Sequence, residues 1–245
     1  MDLKNKISII VPAYNEEKFI GKLIEIIREI DTESIGFKKE IIIVDDCSKD
    51  KTFEKANEFP GIKCIRHQTN KGKGAAVQTG IKESTGDYIL VQDADLEYDP
   101  GDYIPMLEQL KSELVNYELI SIYGSRILGQ KRLGHITGMH PGQGFGPFIM
   151  NNILTWLAFI LYGRWITDTL TAYKIYPSQI IKKFDVKTKG FETDHELTAK
   201  LIKNKVKIIE TPISYNPRSV EEGKKIKALD GLKAIWTFIR FRFAD

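Results

Sequence analysis

Short apolar runs alternate with segments of helical periodicity along the N-terminal part of the chain. The runs at residues 7–11, 40–44, 62–65 and 88–91 are rich in β-branched or aromatic residues, which predicts buried β-strands. Apolar residues at helical spacing follow the first strand, and shorter helical segments follow the second and third. This β-α-β-α-β-α-β order predicts an α/β fold, in which a Rossmann-like, mostly parallel central sheet is flanked by helices.

The pattern becomes less regular further along the chain. A helix is predicted over residues 103–113 and a strand over residues 119–123. Residues 129–147 are rich in glycine and include Lys131 and Arg132. A long irregular segment in a compact domain is usually either functional or disordered, and cationic groups suit an anionic substrate, so we predict a mobile lid here. Strand-like segments at residues 167–176, 206–210 and 213–215, and a helix that opens at residues 190–196, complete this part of the chain.

Two helices could contact either the protein core or a membrane surface. The first, residues 148–162, is apolar but would be only about 22 Å long, which is short of a hydrocarbon core of roughly 30 Å. The second, residues 227–243, is amphipathic, with Trp236 on its apolar side and Arg240 and Arg242 nearby. A basic amphipathic helix can lie on an anionic membrane or pack on its own protein, and the sequence leaves both possibilities open. No uninterrupted apolar run of about 18 residues is present, so we predict no transmembrane helix.

Composition narrows the class of protein. The chain has 245 residues, 42% of them hydrophobic, which is enough for one sizeable core, and we predict a single domain over residues 1–245. The net charge of +3 is not concentrated in a basic patch, so no nucleic-acid partner is predicted. Cys47 and Cys64 are too few and too isolated for a disulfide framework or a zinc site. This favours a reducing compartment, and the polar N-terminus predicts no signal peptide, so we expect a cytoplasmic protein.

Carboxylates follow three of the predicted strands, at the point where each strand ends. Glu16 follows the first strand, Asp45 and Asp46 the second, and Asp93 and Asp95 the fourth. Because the carboxyl ends of parallel strands meet at one edge of the sheet, we expect these side chains to converge on one cleft. An isolated Asp-x-Asp is more often an acidic surface turn than a metal site. Its position directly after a buried strand favours a hard cation, Mg²⁺ or Mn²⁺, as its ligand.

Three other polar groups each have two possible roles. The turn at Gly72-Lys73-Gly74 precedes a helix and could either cradle phosphates or only allow close helix packing. Asp168 could either face the cleft or cap a local turn. Asp194 lies among the carboxylates of residues 192–196, which could favour the helix dipole or supply a general base.

Six motifs in this order resemble family 2 glycosyltransferases, and in particular the branch of dolichol-phosphate mannose and glucose synthases. The resemblance spans nearly the whole chain. The motifs are Val-Pro-Ala-Tyr-Asn-Glu at residues 11–16, Val-Asp-Asp at 44–46, Asn-Lys-Gly-Lys-Gly at 70–74, Gln-Asp-Ala-Asp-Leu at 92–96, Gly-Ser-Arg at 124–126, and the segment from Tyr-Asn-Pro-Arg at 215–218 to Glu-Gly-Lys-Lys at 222–225.

The resemblance implies a GT-A fold and an inverting transfer of a hexose from a UDP- or GDP-sugar. It assigns residues 1–125 to donor binding and residues 126–226 to the acceptor. By the same resemblance, the base and ribose are held by Pro12, Tyr14, Glu16 and Asp45, and the same nucleotide-sugar site includes Asp46 and Lys73. The metal, Mg²⁺ or Mn²⁺, is held by Asp93, Asp95 and Glu97. The resemblance also implies that Arg218 meets the donor diphosphate, that Arg126 meets the acceptor phosphate, that Asp168 lies near the sugar, and that Asp194 lies where related enzymes place their base.

The acceptor implied by the resemblance is a polyprenyl phosphate at the inner face of a membrane. A lipid monophosphate is already largely anionic at neutral pH and needs little help from a base. A saccharide hydroxyl, the alternative acceptor, needs a base such as Asp194. A further alternative is a nucleotide-binding module without catalytic activity, although such a module has no need for paired metal-binding carboxylates.

Overall fold

The computed structural model describes residues 5–141, 144–218 and 228–244, and the fold is built on a sheet of seven strands. The strands lie side by side in the order β3-β2-β1-β4-β6-β5-β7. In chain order they are β1 (Asn5–Ala13), β2 (Phe37–Asp45), β3 (Lys63–Arg66), β4 (Tyr88–Val91), β5 (Ile120–Ser125), β6 (Lys174–Pro177) and β7 (Lys207–Pro212).

As far as β5, strands and helices alternate as the apolar pattern predicts, and β5 and β6 are each followed by two helices. In chain order they are α1 (Ile20–Glu29), α2 (Thr52–Asn57), α3 (Lys73–Glu83), α4 (Tyr103–Glu113), α5 (Arg126–Arg132), α6 (Phe145–Tyr162), α7 (Ser178–Ile181), α8 (Thr193–Lys203) and α9 (Ala228–Phe243).

The sheet is parallel except at one strand. β1 pairs in parallel with β2 and β4, and β5 pairs in parallel with β7. β6 lies between β4 and β5 and runs antiparallel to both. The α/β fold and the mostly parallel sheet are therefore confirmed, and the antiparallel strand brings the segment before Lys174 beside the end of β4.

Apolar side chains cover both faces of the sheet. On one face, α1 buries Ile20, Leu23, Ile24 and Ile27 completely, at positions that recur once per helical turn. Each such side chain stabilises the fold by about 1.5–3 kcal/mol. On the other face, α3 and α8 contribute side chains to a second cluster that includes Val77 and Leu197.

The glycine-rich segment is less irregular than predicted. Its first residues belong to α5, which ends at Arg132, and its last residues belong to α6, which begins at Phe145. The residues between them that the structure describes form turns and bends. Residues 142–143 lie outside the described part of the chain, as do residues 219–227 of the last motif. The strand-like pattern at residues 213–215 is not part of a strand, because β7 ends at Pro212.

Helices α6 and α9 pack against each other and against α8. Their shared contact buries Leu154, Ala158, Ala199, Ala234 and Phe238. Helix α6 begins three residues earlier than predicted and has 18 residues, so by length and composition it just meets the requirement for crossing a membrane. Core helices of globular proteins can meet the same requirement, but only 22% of this helix is buried.

Candidate active site

A cleft of about 740 Å³ lies at the carboxyl ends of β1 and β4 and extends to helices α6 and α9. The convergence predicted from the strand ends is therefore observed. Of the predicted site residues, those that line the cleft are Pro12, Tyr14, Glu16, Asp46, Lys73, Asp93, Asp95, Glu97, Arg126, Asp194 and Arg218.

Asp45 does not line this cleft, contrary to expectation, and neither does Asp168, for which the sequence left a place in the cleft and a capping role both open. Asp45 is fully buried, and its carboxylate accepts a hydrogen bond from the backbone N–H of Ser48 and pairs with Arg66 at 3.2 Å. The β2 strand extends to Asp45, and these contacts keep its carboxylate away from solvent. Asp168 is also fully buried and pairs with Arg126, which does face the cleft.

The end of β4 is fixed by the buried Gln92. Its side-chain oxygen accepts hydrogen bonds from the hydroxyls of Tyr103, at 2.6 Å, and Tyr173. Beyond it, Leu96 has a φ of +60°, a conformation that costs a residue with a side chain roughly 1–2 kcal/mol. The turn that Leu96 makes brings the backbone N–H of Glu97 to 3.1 Å from the carboxylate of Asp95. The strained turn at Leu96 thereby holds the carboxylates of Asp95 and Glu97 on the same side of the cleft.

Arg218 lies among these carboxylates. Its guanidinium is 2.9 Å from Asp95 Oδ2, 3.3 Å from Glu16 Oε2 and 3.7 Å from Glu97 Oε1. Burial and the neighbouring charges of Asp93 and Glu97 raise the pKa of Asp95 to about 7, even though Arg218 opposes that shift. Arg218 therefore compensates the negative charge of Asp93, Asp95 and Glu97 only in part.

This donor set fits a hard divalent cation. Carboxylate oxygens are the ligands that Mg²⁺ and Mn²⁺ prefer, and the raised pKa of Asp95 indicates a site that would bind additional positive charge. Within the described residues, no three His, Cys, Asp or Glu side chains are already grouped as a complete set of metal ligands. Arg218 and Lys73 contact the carboxylates instead, so a cation bound at Asp95 would replace contacts that Arg218 now makes.

A second cation faces the cleft from the start of α3. Lys73 Nζ lies 2.6 Å from Asp93 Oδ1. Burial lowers the pKa of Lys73, but the charge and hydrogen bond of Asp93 together with the charge of Asp194 outweigh burial and raise that pKa. The turn before it is held by Asp46, whose carboxylate accepts hydrogen bonds from the backbone N–H groups of Lys71, at 2.9 Å, and Gly72, at 2.7 Å. Asp46 thus shapes the loop that presents Lys73.

The two glycines of this turn are both required by its geometry. Gly72 has a φ of +94°, in the left-handed region that favours glycine. A Cβ atom on Gly74 would lie 1.9 Å from Thr193 Oγ1. Close packing at the glycine-rich turn is therefore observed, and it joins the start of α3 to the start of α8, which carries Asp194. Phosphate contact at this turn stays a prediction.

Arg126 is held by a buried ion pair at the start of α5. Its backbone N–H, Nε and Nη2 donate hydrogen bonds of 3.0, 2.7 and 2.8 Å to the carboxylate of Asp168. Burial disfavours the charge, but Asp168 together with the neighbouring Tyr98 and Tyr215 outweighs burial, and the pKa of Arg126 is raised well above its ordinary value. The guanidinium also lies over the ring of Tyr215, 4.8 Å from its centroid. Arg126 is therefore charged and fixed in one orientation.

Asp194 and His195 occupy the first turn of α8. Asp194 is partly exposed in the cleft, and its charge contributes to the raised pKa of Lys73. His195 is only 3% exposed, and burial together with the charge of Lys174 lowers its pKa to about 3. Neither ring nitrogen of His195 has a hydrogen-bond partner among the described residues. His195 lines the cleft but was not predicted as a site residue, since nothing in its local sequence distinguishes it from a core position.

Carboxylates at the ends of parallel strands, beside one antiparallel strand, agree with the GT-A fold expected from the resemblance. Residues 8–164 match the family described as Glycosyl transferase family 2, and the chain belongs to that family. It is a glycosyltransferase.

Several curated relatives are similar over most of the chain. The dolichol-phosphate mannosyltransferase of Pyrococcus furiosus is 31% identical over 239 residues, which cover 96% of this chain and 62% of that protein. The UDP-N-acetylglucosamine–dolichyl-phosphate N-acetylglucosaminyltransferase of Methanococcus voltae is 27% identical, with 90% of each chain covered. A dolichyl-phosphate β-glucosyltransferase of Trichomonas vaginalis is 28% identical over 96% of this chain and 72% of that protein. The chain thus spans less than two thirds of the Pyrococcus protein.

Solved structures support the fold. Glucosyl-3-phosphoglycerate synthase from Mycobacterium tuberculosis, in complex with Mn²⁺, UDP and glucosyl-3-phosphoglycerate, superimposes with a TM-score of 0.68 at 17% identity. The match covers 99% of this chain and 81% of that one. The same enzyme has also been solved with Mg²⁺ and UDP.

Proposed function

We propose that this glycosyltransferase moves a hexose, with inversion, from a nucleoside diphosphate sugar to a polyprenyl phosphate, with the help of a divalent metal ion. The observation that carries the proposal is the layout of the cleft. Carboxylates, Arg218 and Arg126 line the same cleft, and the lining also includes residues of helices α6 and α9. The relatives named as dolichyl-phosphate transferases give further support.

Asp93, Asp95 and Glu97 would hold the metal, which supplies positive charge to the departing nucleoside diphosphate. Arg218 adds a second positive charge at the same end, where negative charge develops on the leaving oxygens. Lys73 is fixed at Asp93 and can contact the diphosphate from the other side. Together these groups favour departure of the leaving group over its return.

Arg126 would orient the acceptor phosphate. Because Asp168 and Tyr215 hold its guanidinium in place, little conformational entropy is lost when a phosphate binds. A phosphate with a second pKa near 6 is largely deprotonated at neutral pH, so its oxygen can attack the sugar without a base. Proton removal by Asp194 is then unnecessary.

The direct test is to incubate the protein with Mg²⁺ or Mn²⁺, a panel of UDP- and GDP-hexoses and a polyprenyl phosphate. We expect a lipid-linked sugar with at least one donor. Absence of that product with every donor, from protein that binds a nucleotide in calorimetry, would overturn the lipid phosphate as acceptor.

Transfer to a saccharide hydroxyl is the second candidate, because such an acceptor needs a base and Asp194 is a carboxylate in the cleft. Within the described part of the chain, the side chain of Asp194 makes no hydrogen bond that would occupy it. If a lipid phosphate is the acceptor, Asp194→Asn should retain turnover to within about ten-fold, because no proton has to be removed. If a hydroxyl is the acceptor, the same change should reduce kcat by about 10²–10⁴-fold. Glu192→Gln, two residues earlier and outside the cleft lining, is the control that should leave the rate unchanged.

The outer sides of α6 and α9 form an apolar surface, which we call the apolar face. Trp156 and Trp236 are 54% and 63% exposed, and a groove between the helices is lined almost entirely by apolar side chains. Arg240 and Arg242 lie at the end of α9. We propose that this face rests on an anionic membrane surface, where a lipid acceptor would be presented to the cleft. The face comprises Phe145, Ile149, Ile153, Trp156, Phe159, Ile160, Leu229, Leu232 and Trp236.

Trp156→Glu and Trp236→Glu should each reduce binding to anionic vesicles by about ten-fold or more, because an inserted aromatic side chain contributes about 1.5–3 kcal/mol. The measurement is co-flotation with vesicles that contain phosphatidylserine or phosphatidylglycerol. Val115→Glu replaces an apolar residue that is 87% exposed but lies outside the apolar face, and it should bind as the unmodified protein does. Equal flotation of all four proteins, or no flotation of the unmodified one, would contradict the membrane proposal.

A further inference from the structure

The loop that carries Asp168 is fixed on one side by Glu210 of β7. The carboxylate of Glu210 accepts hydrogen bonds from the backbone N–H of Thr167 at 2.9 Å and from the backbone N–H of Asp168 at 3.1 Å. It also accepts one from the hydroxyl of Thr167 at 2.8 Å. Since β7 is part of the sheet, these bonds tie the two peptide groups that flank Thr167 to the rigid core.

The same loop is fixed on its other side by Asn151 of α6. The Asn151 amide donates a hydrogen bond of 2.7 Å to the carbonyl of Thr167. Its side-chain oxygen accepts from the backbone N–H of Thr169 at 3.1 Å and, more weakly, from that of Leu170 at 3.4 Å. One side chain therefore satisfies polar groups on both sides of Asp168.

Apart from these hydrogen bonds, a buried asparagine at position 151 is unfavourable for the stability of helix α6. It is 2% exposed within a strongly apolar helix, and asparagine lowers helix propensity relative to leucine or alanine. Burial of an amide is tolerated when its hydrogen bonds are made, and here they are made to the loop rather than to the helix. Asn152, the next residue, instead bonds back to the carbonyl of Phe148 in its own helix and is exposed.

We infer that Asn151 is a positioning residue for Arg126. Asn151 and Glu210 clamp the loop, the loop places the Asp168 carboxylate, and that carboxylate holds three N–H groups of Arg126. The helix that carries the apolar face thus also sets the orientation of the cation in the cleft. This inference rests on the proposed function, because it takes Arg126 as the group that meets the acceptor phosphate.

Asn151→Ala should raise the KM for the polyprenyl phosphate by about ten- to a hundred-fold, because a small displacement of a positioning group is costly in the bound complex. The affinity for the donor nucleotide, measured by calorimetry, should stay unchanged, because Asn151 does not line the cleft. Glu210→Gln, which weakens the clamp from the sheet side, should shift the acceptor KM in the same direction. Asn152→Ala is the matched control and should change neither quantity.

A second measurement does not depend on the acceptor. The Nε atom of Arg126 lies 2.7 Å from a buried oxygen of Asp168. Exchange of the Nε proton with solvent, followed by NMR, should therefore be slow in the unmodified protein and faster in Asn151→Ala. A folded Asn151→Ala protein with unchanged exchange would overturn the inference. So would an acceptor KM equal to that of Asn152→Ala in an enzyme that does use a lipid phosphate. If exchange accelerates but no lipid phosphate is a substrate, the clamp stands as a structural assignment and the proposed function fails.

Discussion

Substitution of Asp95 by asparagine is expected to lower glycosyl transfer by about 10²–10³-fold, the range found when one group that stabilises developing negative charge is removed. Asparagine has nearly the same size but no charge, so it cannot neutralise a divalent cation. It also removes the partner that Arg218 contacts at 2.9 Å. Both sources of positive charge at the diphosphate would be weakened together, which is why we expect the effect of this single change to be large.

Calorimetric titration with UDP and GDP, with and without Mn²⁺, separates binding from chemistry. In the unmodified protein the metal should strengthen binding of the preferred nucleotide, and in Asp95→Asn that gain should disappear. Asp99→Asn is the control, because Asp99 is exposed and its carboxylate accepts, within the described part of the chain, one hydrogen bond, from the nearby N–H of Gly101. A variant at Asp95 that keeps both the gain from metal and normal turnover would refute the metal assignment.

Replacement of Asp168 by asparagine should lower the free energy of unfolding by about 3–5 kcal/mol, the usual result of removing one partner from a buried ion pair. The side chain of Asp168 is 1% exposed and that of Arg126 is 14% exposed, so solvent cannot compensate the positive charge that remains. Asparagine can accept hydrogen bonds through only one oxygen. The Asp168 carboxylate accepts three hydrogen bonds from Arg126 through its two oxygens. Urea denaturation measures the difference directly.

The pair formed by Asp185 and Lys187 supplies a contrast. Its side chains are 78% and 53% exposed, and Asp185→Asn should leave the unfolding curve nearly unchanged because exposed ion pairs contribute little. The double change Arg126→Met with Asp168→Leu should recover much of the stability lost in Asp168→Asn while transfer stays low. Equal stability losses at Asp168 and Asp185 would show that the pair at Arg126 is not effectively buried.

The periodic part of the chain could be predicted from the sequence because its signals are local. Each of the first four strands is a short apolar run, and a parallel sheet brings the carboxylates that follow β1 and β4 to one edge. Asp93, Asp95 and Glu16 were therefore placed together without any structural information.

The parts that were missed depend on contacts between distant segments. Glu210 lies 42 residues from Asp168 in sequence, and its role appears only when β7 is placed beside β5. The antiparallel β6 has a strand-like pattern, but apolar alternation does not reveal strand direction. Asp45 adjoins Asp46 and looks equivalent in sequence, yet the pairing of Asp45 with Ala13 at the end of β1 keeps it in the sheet. Asn151 was visible as a polar residue in an apolar helix, although its partners were not.

If the acceptor is a polyprenyl phosphate, as we propose, the size of the cleft has a consequence for lipid selection. About 740 Å³ must accommodate the nucleotide sugar as well as the acceptor, and the lining includes Gly146, Pro147 and Met150 of α6. A polyprenyl chain of many isoprene units cannot be enclosed there, so the protein would contact the phosphate and the first part of the chain while the remainder stays among the lipids. Chains of different length or saturation should then compete on nearly equal terms, and the lipid that receives the sugar would be decided by the composition of the membrane rather than by the enzyme.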